Sequence, residues 1–538
     1  MSFSFLKENK VFLAILFLIF STYLWLAWQP IEKLLSGFLV DDAFYYFKSA
    51  ANLANRLGPT FDGEHLTNGY HPLWMGINAV IYYLFPNNKI LPIHLILTLA
   101  VLFFAGGTLL CWKIISQLVQ DRTMQILLLL AYALNPWNIS NILNGLETSL
   151  ALFLLILLFW LFLRILNGKD RITDFLLLGM VGGLTVLARL DYGLFLAAIL
   201  IFFLFKKKYS WPSLLAFSLT AFLLAVPWFL YNYFYFGSLI PASGLAYTLI
   251  NHRLWFYKDR NLTQILLWSL YNFIGTITFT LKTIGLPNFY SASNLWKSFW
   301  SLGVIFFPII AGIIYFYTVK RDQFKEYLRK LMASNEWIVF IIFFIAYFGL
   351  IVVHGAIRWS SREWYFASFP FLVVIFLALL LSRSSMEIYC KRILLALALL
   401  LGISFGISWA GIFTQYNGQL EAYNAALWAR DNLPANVRIA AFNSGVLGYF
   451  SERFIMNSDG LINNSAFEAL KENRLWELFK KERIDYLMDY EITLTYRFKS
   501  FLGIENPMAE VNRINIPIVL APSSESYAGS HIGIFQLK

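Results

Sequence analysis

Charge-free apolar runs of membrane-crossing length recur along the first three quarters of this chain, and no other feature restricts its fold as much. A helix needs about 20 apolar residues to cross a hydrocarbon core of roughly 30 Å. The first run extends from Val11 to Gln29, behind Lys7 and Lys10. It is too long for a signal-peptide core and lacks a small-x-small cleavage site, so it reads as an uncleaved anchor. Further runs begin near Ile90, Thr123, Thr148, Phe175, Tyr192, Trp211, Ser298, Trp337, Trp364 and Ile393, eleven in all with the anchor. Composition agrees: 59% of the 538 residues are hydrophobic and 14% charged, against about 45–50% and about 25% in soluble chains. A soluble multi-domain enzyme is excluded on that ground. The 18% of aromatic residues, without any short repeat, excludes a disordered or fibrous chain. Cys111 and Cys390 lie far apart near the ends of apolar runs, which fits neither a disulfide framework nor a thiolate metal site.

Orientation follows from lysine and arginine. The basic connections are Lys113–Arg122, Arg164–Arg171, Lys206–Lys208, Lys320–Lys330 and Arg383–Arg392. With all five and the N-terminus in the cytoplasm, the eleven spans alternate without conflict. A first outer loop, 30–89, a long outer loop, 237–297, and the C-terminal tail are then extracytoplasmic. The apolar stretch Pro72–Pro86 would invert every later loop if it crossed, so it is expected as a helix at or dipping into the outer interface. Residues 414–538 hold 12 Lys and Arg against 14 Asp and Glu, and the rest of the chain carries +13. The overall +11 is therefore a membrane-topology signal, not a nucleic-acid one. Strands are expected at Arg438–Phe450 (with a glycine turn), Phe454–Asn457 and Asp485–Asp489, and an amphipathic helix at Ala466–Lys481. The expected architecture is an α-helical polytopic membrane domain, 1–413, followed by a small extracytoplasmic α/β domain, 414–538. Gly445 and Gly448 faintly echo a nucleotide loop, and turn geometry explains them better.

Charges away from the basic loops are few, which makes them candidates for function. Asp41 and Asp42 open the stretch Asp-Asp-Ala-Phe-Tyr-Tyr-Phe-Lys48 just outside the first span. Adjacent carboxylates raise one another's pKa, which suits a group that accepts a proton near neutral pH. Equally, Asp42 could cap a helix while Asp41 is solvated. Glu147, at the mouth of the fourth span, fits a boundary charge or a polar cavity. Arg189 and Asp191 sit between two apolar runs of about 14 residues, each spanning only about 21 Å as helix. Their tip is expected below the membrane surface, either as a pair tying the hairpin or as a contact to a ligand in a cavity. Arg358 and Arg362 flank Trp359-Ser360-Ser361 before Trp364-Tyr365-Phe366. A guanidinium there suits a phosphate group. His354 is the weaker neighbour, better explained as a structural hydrogen-bonder.

Asp41-Asp42 at the start of a helix, a Gly58-to-Phe61 loop, and Thr67-Asn68-Gly69-Tyr70-His71-Pro72-Leu73-Trp74 together resemble the first extracytoplasmic loop of the GT-C glycosyltransferases. The nearest likeness is to the bacterial arabinofuranosyltransferases, with the aminoarabinose transferase, the protein O-mannosyltransferases and the oligosaccharyltransferase subunit more distant. The likeness in element order covers roughly residues 10–415, with lesser echoes at 135–148, 231–244 and 362–366. It implies an inverting transfer of a monosaccharide from a polyprenyl-phosphate donor to a hydroxyl of a glycan, lipid or protein, at the outer face of the cytoplasmic membrane. By position, Asp41 would be the base and Asp42 the second carboxylate. Arg362, with Arg358, would bind the donor phosphate, and Tyr70, His71, Glu147, Arg189 and Asp191 would shape the pocket. Metal-dependent members carry Asp-x-Glu in the second outer loop, where this chain has Leu146 before a single Glu147. A divalent metal stays open, and no other cofactor is implied. In relatives the loop matching 237–297 covers the donor. A transporter or flippase would show an internal repeat, and none is present. An O-antigen-ligase-like transferase would place its basic residues and histidine in a late loop, whereas the strongest motif here is in the first.

Overall fold

The computed structural model describes residues 10–206, 208–255, 261–284, 321–382, 417–514 and 531–538. The runs expected from Ser298 and Ile393, the basic stretch 383–392, Cys390 and the 413/414 boundary lie outside these residues. Among the described residues, six helices are long and apolar enough to cross a membrane: Leu91–Leu118, Thr148–Leu166, Trp211–Phe236, Leu262–Leu281, Asn335–Ile357 and Glu363–Leu381. The anchor is broken: Phe12–Ala27 and Ile31–Gly37 meet at 109°. Pro30 stands at the corner, where it has no N–H to carry the helical ladder on. The runs expected from Thr123, Phe175 and Tyr192 form the shorter helices Arg122–Ala133, Ile172–Ala188 and Leu190–Phe205. The chain is a helical polytopic membrane protein carrying a small C-terminal α/β domain.

Two segments of the outer loops have structure of their own. Pro72–Leu84 is a 13-residue helix with Pro72 at its first position, where a missing N–H costs nothing. Within 237–297 lie the helices Ala242–Trp255 and Leu262–Lys282, so this stretch is not a plain loop. Leu262–Lys282 escapes a search for unbroken apolar runs because threonine, serine, asparagine and glutamine interrupt it. Its hydroxyls return to the helix's own carbonyls, Thr276 to Asn272 at 2.8 Å and Thr278 to Gly275 at 2.8 Å, so they need no water. The helix packs against the turn Val352–Ile357, with Thr276 Oγ1 2.6 Å from Ser361 Oγ.

The C-terminal domain is a mixed five-stranded sheet of order β2-β1-β3-β5-β4, with β1 Arg438–Ala441, β2 Phe454–Asn457, β3 Tyr486–Tyr490, β4 Val511–Ile514 and β5 Ile532–Leu537. The expected glycine turn is a helix, Gly445–Phe450. The expected single amphipathic helix is two, Asn464–Glu472 and Leu475–Lys481, parted at Asn473 in the left-handed region (φ 57°). Side chains alternate across the sheet. Ala440, Met456, Leu487 and Phe535 face a small core with Leu470, Trp476 and Phe479. Ile439, Ile455, Met488 and Ile534 join the large core that continues into the membrane domain.

That shared core fixes the C-terminal domain on the first outer loop. A Cβ on Gly445 would lie 2.1 Å from the Asp41 carbonyl oxygen, and one on Gly448 2.4 Å from the Phe61 ring. The two glycines of the supposed nucleotide echo are thus contact points that admit no side chain. Around them Phe44 packs edge-on against Tyr449 at 5.5 Å, and Tyr82 and Tyr449 share a hydrogen bond of 2.7 Å. At the rim Arg438 holds Glu64 through two bonds of 2.8 and 3.0 Å.

Candidate active site

The helix Asp41–Ala54 begins the site, and its N-cap is Val40, so neither aspartate caps it. Both carboxylates sit in its first turn, where the helix dipole favours negative charge. Their surroundings differ. Asp41 Oδ2 accepts from Gly445 N at 3.0 Å and Oδ1 from Val446 N at 2.8 Å. Asp41 therefore supplies the N-terminal cap of a helix in the other domain. Burial pushes its carboxyl up to about 6, against the pull of those two N–H groups. No described residue donates a hydrogen bond to the Asp42 carboxylate. Burial and the charge of Glu147 raise its pKa, and Arg362 and Arg497 oppose the rise.

A second layer is a chain of buried ions. Arg189 is 2% exposed and is held by Glu147 Oε1 at 3.0 Å and by Asp191 Oδ1 at 2.9 Å. Tyr46 Oη donates to the other Glu147 oxygen at 3.0 Å and accepts from His71 N at 3.0 Å. His71 Nε2 lies 3.6 Å from Glu147, and its Nδ1 accepts from Leu190 N at 3.4 Å. Asp191 Oδ2 pairs with His354 Nε2 at 2.8 Å. His354 stacks on Tyr365 at 4.1 Å, and the Arg189 and Arg358 guanidinium groups lie 5.1 and 5.8 Å from the same ring. Unpaired, ions this buried would be strongly destabilising. The expected hairpin pair Arg189–Asp191 is present, and Glu147 and His354 extend it in both directions. Tyr70 is buried against Trp228 at 5.2 Å.

Arg358 and Arg362 are tied to the helix Ala242–Trp255. Arg362 Nε donates to Tyr247 Oη at 2.8 Å, and a second guanidinium nitrogen reaches the same hydroxyl. Trp364 lies 5.9 Å from its guanidinium. Arg358 donates to Thr248 Oγ1 and to the Gly244 carbonyl, each at 3.3 Å. Arg362 and Glu147 act on Asp42 electrostatically, which draws the first two loops and the Arg362 segment to one site.

The C-terminal domain adds two groups that the sequence reading did not single out. Asp459, on the turn after β2, is 8% exposed, and burial pushes its carboxyl up to about 7, with the charge of Asp42 contributing. The charge of Arg497 opposes the rise at both Asp42 and Asp459. The only trace in the sequence is a Ser458-Asp459-Gly460 turn directly after an apolar strand. The site is a poor fit for a metal ion. Among the described residues, no three carboxylate or imidazole groups around Asp42 bring ligand atoms within 4.8 Å of one another. The set that does converge, Glu64, His65 and Glu482, already has Arg438 bonded to both glutamates.

Spans, outer loops and a docked C-terminal domain arranged in this way are the fold of the GT-C glycosyltransferases. The archaeal oligosaccharyltransferase AglB from Archaeoglobus fulgidus, in complex with an inhibitory peptide and a dolichol-phosphate, is similar over 94% of this chain and 72% of its own, with 13% identity and a TM-score of 0.53. ArnT from Cupriavidus metallidurans is similar over 99% of this chain and 98% of its own, with a TM-score of 0.52. Identity is 10% for its undecaprenyl phosphate complex and 12% for its apo state. At such identities the likeness establishes the fold. Residues 410–525 match the family model of a domain of unknown function, DUF8728. No curated protein matches the chain in sequence.

Proposed function

We propose that the chain is a glycosyltransferase that moves a monosaccharide from a polyprenyl-phosphate carrier to a hydroxyl acceptor at the outer face of the cytoplasmic membrane, with inversion. The observation that carries this reading is the half-buried Asp42 carboxylate, to which no described residue donates a hydrogen bond and on which the Arg362 charge acts, in a GT-C fold. The polyprenyl phosphates bound in the similar AglB and ArnT structures support the donor class.

Asp42, not Asp41, takes the acceptor proton, because both Asp41 oxygens are engaged by backbone N–H groups. The freed hydroxyl oxygen attacks the anomeric carbon as its bond to the phosphate oxygen breaks. Arg362 stabilises the charge that grows on that oxygen, its plane held by Tyr247. One displacement from the opposite face inverts the centre. Glu147, Arg189 and Asp191 form the rigid floor, and His71 is held over it by Tyr46. No step runs through a metal ion.

Reconstitution in proteoliposomes with a panel of polyprenyl-phosphate monosaccharides tests this. Sugar transfer or release of polyprenyl phosphate from at least one donor is expected, abolished in Arg362→Ala and insensitive to chelator. Failure with every lipid donor would overturn the reading.

A further inference from the structure

Between Arg358 and Arg362 the backbone is strained. Trp359 has φ 50°, in the left-handed region that a bulky side chain avoids. A residue keeps such a conformation only where its surroundings hold it there. The helix Ala242–Trp255 supplies that hold. His252 Nε2 donates to the Ile357 carbonyl at 2.7 Å, and its ring lies 4.0 Å from the Trp359 ring. Asn251 Nδ2 donates to the Arg358 carbonyl at 3.4 Å. Ser269 also accepts from Trp359 Nε1, at 3.1 Å. With Tyr247 on Arg362, and Thr248 and Gly244 on Arg358, one helix touches the turn 357–359 and both guanidinium groups.

The opposite side of that helix belongs to the C-terminal domain. At 3.6 residues per turn, Gly244, Tyr247, Thr248 and Asn251 share one side, and Leu249, Ile250 and Arg253 share the other. Ile250 is buried in the small core of the C-terminal domain, with Leu249 and Leu254 packed against it. Arg253 donates to Asn473 Oδ1, and its guanidinium lies 4.8 Å from the Phe501 ring. The helix packs along Asn464–Glu472. Its first residue is tied in as well, because Ala242 N and Asn464 Nδ2 both donate to Asn68 Oδ1 at 3.1 Å. In sequence the helix stands between two membrane helices, Trp211–Phe236 and Leu262–Lys282. A roll by one residue is about 100° and would turn Tyr247 and Thr248 away from the arginines. The contacts at Ile250 and Arg253 oppose that roll.

We propose that the C-terminal domain sets the geometry of Arg358 and Arg362, acting through the helix Ala242–Trp255 with Ile250 and Arg253 as its positioning residues. The purpose of that geometry rests on the transferase reading, but the coupling itself is measured without donor or acceptor. Hydrogen–deuterium exchange on the full chain in nanodiscs reads it. Arg253→Ala removes the bond to Asn473 from one side and Asn473→Gly removes it from the other. Asn473 has φ 57°, so glycine keeps its backbone and loses only the amide. Both variants should speed exchange across 357–362 about fivefold, with Thr148–Leu166 and Tyr486–Tyr490 as protected as before. Arg253→Lys keeps a donor and should restore the protection. The dissociation constant for undecaprenyl phosphate should rise about fivefold in Arg253→Ala and Asn473→Gly, and stay within about twofold in Arg253→Lys. Arg438→Ala, which cuts the bonds to Glu64 at the rim of the first loop, should change neither readout. Faster exchange at 357–362 in either variant, with Tyr486–Tyr490 still protected, upholds the coupling. Unchanged exchange there in both, or an equal change in Arg438→Ala, overturns it. Failure of the wild-type chain to bind undecaprenyl phosphate would overturn the transferase reading instead, and the exchange would still decide the coupling.

Discussion

At Asp41 the two partners are backbone N–H groups 404 and 405 residues further along the chain. At Asp42, one position on, the carboxylate keeps its lone pairs for a ligand. The chemistry of the two side chains is identical, so the division of labour comes from which way the first turn of the helix points each of them. Asp42→Asn is expected to lower kcat by about 10²–10⁴, the usual contribution of a general base, with the unfolding temperature unchanged. Asp41→Ala should instead lower stability by roughly 2–3 kcal/mol, the worth of hydrogen bonds to a charged acceptor, read by thermal unfolding of the full chain in nanodiscs. A kcat loss in Asp41→Asn as large as in Asp42→Asn would reverse the assignment. Asp459 yields a prediction in pH. Its carboxyl is raised from 3.8 to about 7 in the folded chain, so between those values the folded form keeps a proton that the unfolded form has lost. Stability then falls as pH rises through that window. Asp459→Asn stays neutral, and it should flatten the unfolding temperature between pH 4 and 7 and raise it at pH 8. An unchanged profile would show that Asp459 ionises freely.

At the scale of the element, the short helix Gly445–Phe450 docks on the first loop through Tyr449 and through two glycines that leave room for the Asp41 backbone and the Phe61 ring. Gly445→Ala drives a methyl into the Asp41 carbonyl at 2.1 Å. Backbone cannot swing aside as a flexible side chain can, so a cost of about 3 kcal/mol or more is expected. Gly76, with nothing within 4 Å of its Cβ position, is the control: in the middle of a helix Gly76→Ala should stabilise by up to about 1 kcal/mol. Thermal unfolding and proteolysis of the C-terminal domain separate the two. The same element marks where sequence reading reached its limit. The spans Leu91–Leu118 and Thr148–Leu166 were legible because uncharged length is all a crossing requires. The candidate charges Asp41, Asp42, Glu147, Arg189 and Arg362 were legible because charges away from the basic loops are few; Glu147 and Arg189 are buried, and Arg362 is exposed. The helix Leu262–Lys282 was not, since its hydroxyls satisfy themselves on the helix and only a structure shows that. Asp459 and Arg497 were not, since nothing local to a strand–turn–helix pattern records which loop it docks on. Gly445 and Gly448 were visible as glycines, but the close approach that explains them spans some 400 residues of sequence.

Across the whole molecule, docking converts the charge rule into a statement about sidedness. Asp41 bonds Gly445, and Lys89 pairs with Glu452 at 2.9 Å, so the first loop and the C-terminal domain share one side of the membrane. Glu147 lies on that side, bonded to Tyr46. From Glu147 the helix Thr148–Leu166 runs to Arg164, 17 residues on and about 26 Å along its axis, close to a full hydrocarbon thickness. Arg164 pairs with Asp174 at 3.3 Å, so the basic connection Arg164–Arg171 turns back at the far side. The positive-inside rule would put that connection in the cytoplasm, and on the proposed orientation the loop, the site and the C-terminal domain face outward. Glu477 and Lys169 are exposed on the two sides. In a background with Cys390→Ser, where Cys111 is buried, Glu477→Cys should react with a membrane-impermeant maleimide on intact cells. Lys169→Cys should react only after permeabilisation. The reverse pattern would place the site in the cytoplasm, where a soluble nucleotide sugar becomes the natural donor and the polyprenyl-phosphate reading loses its reason.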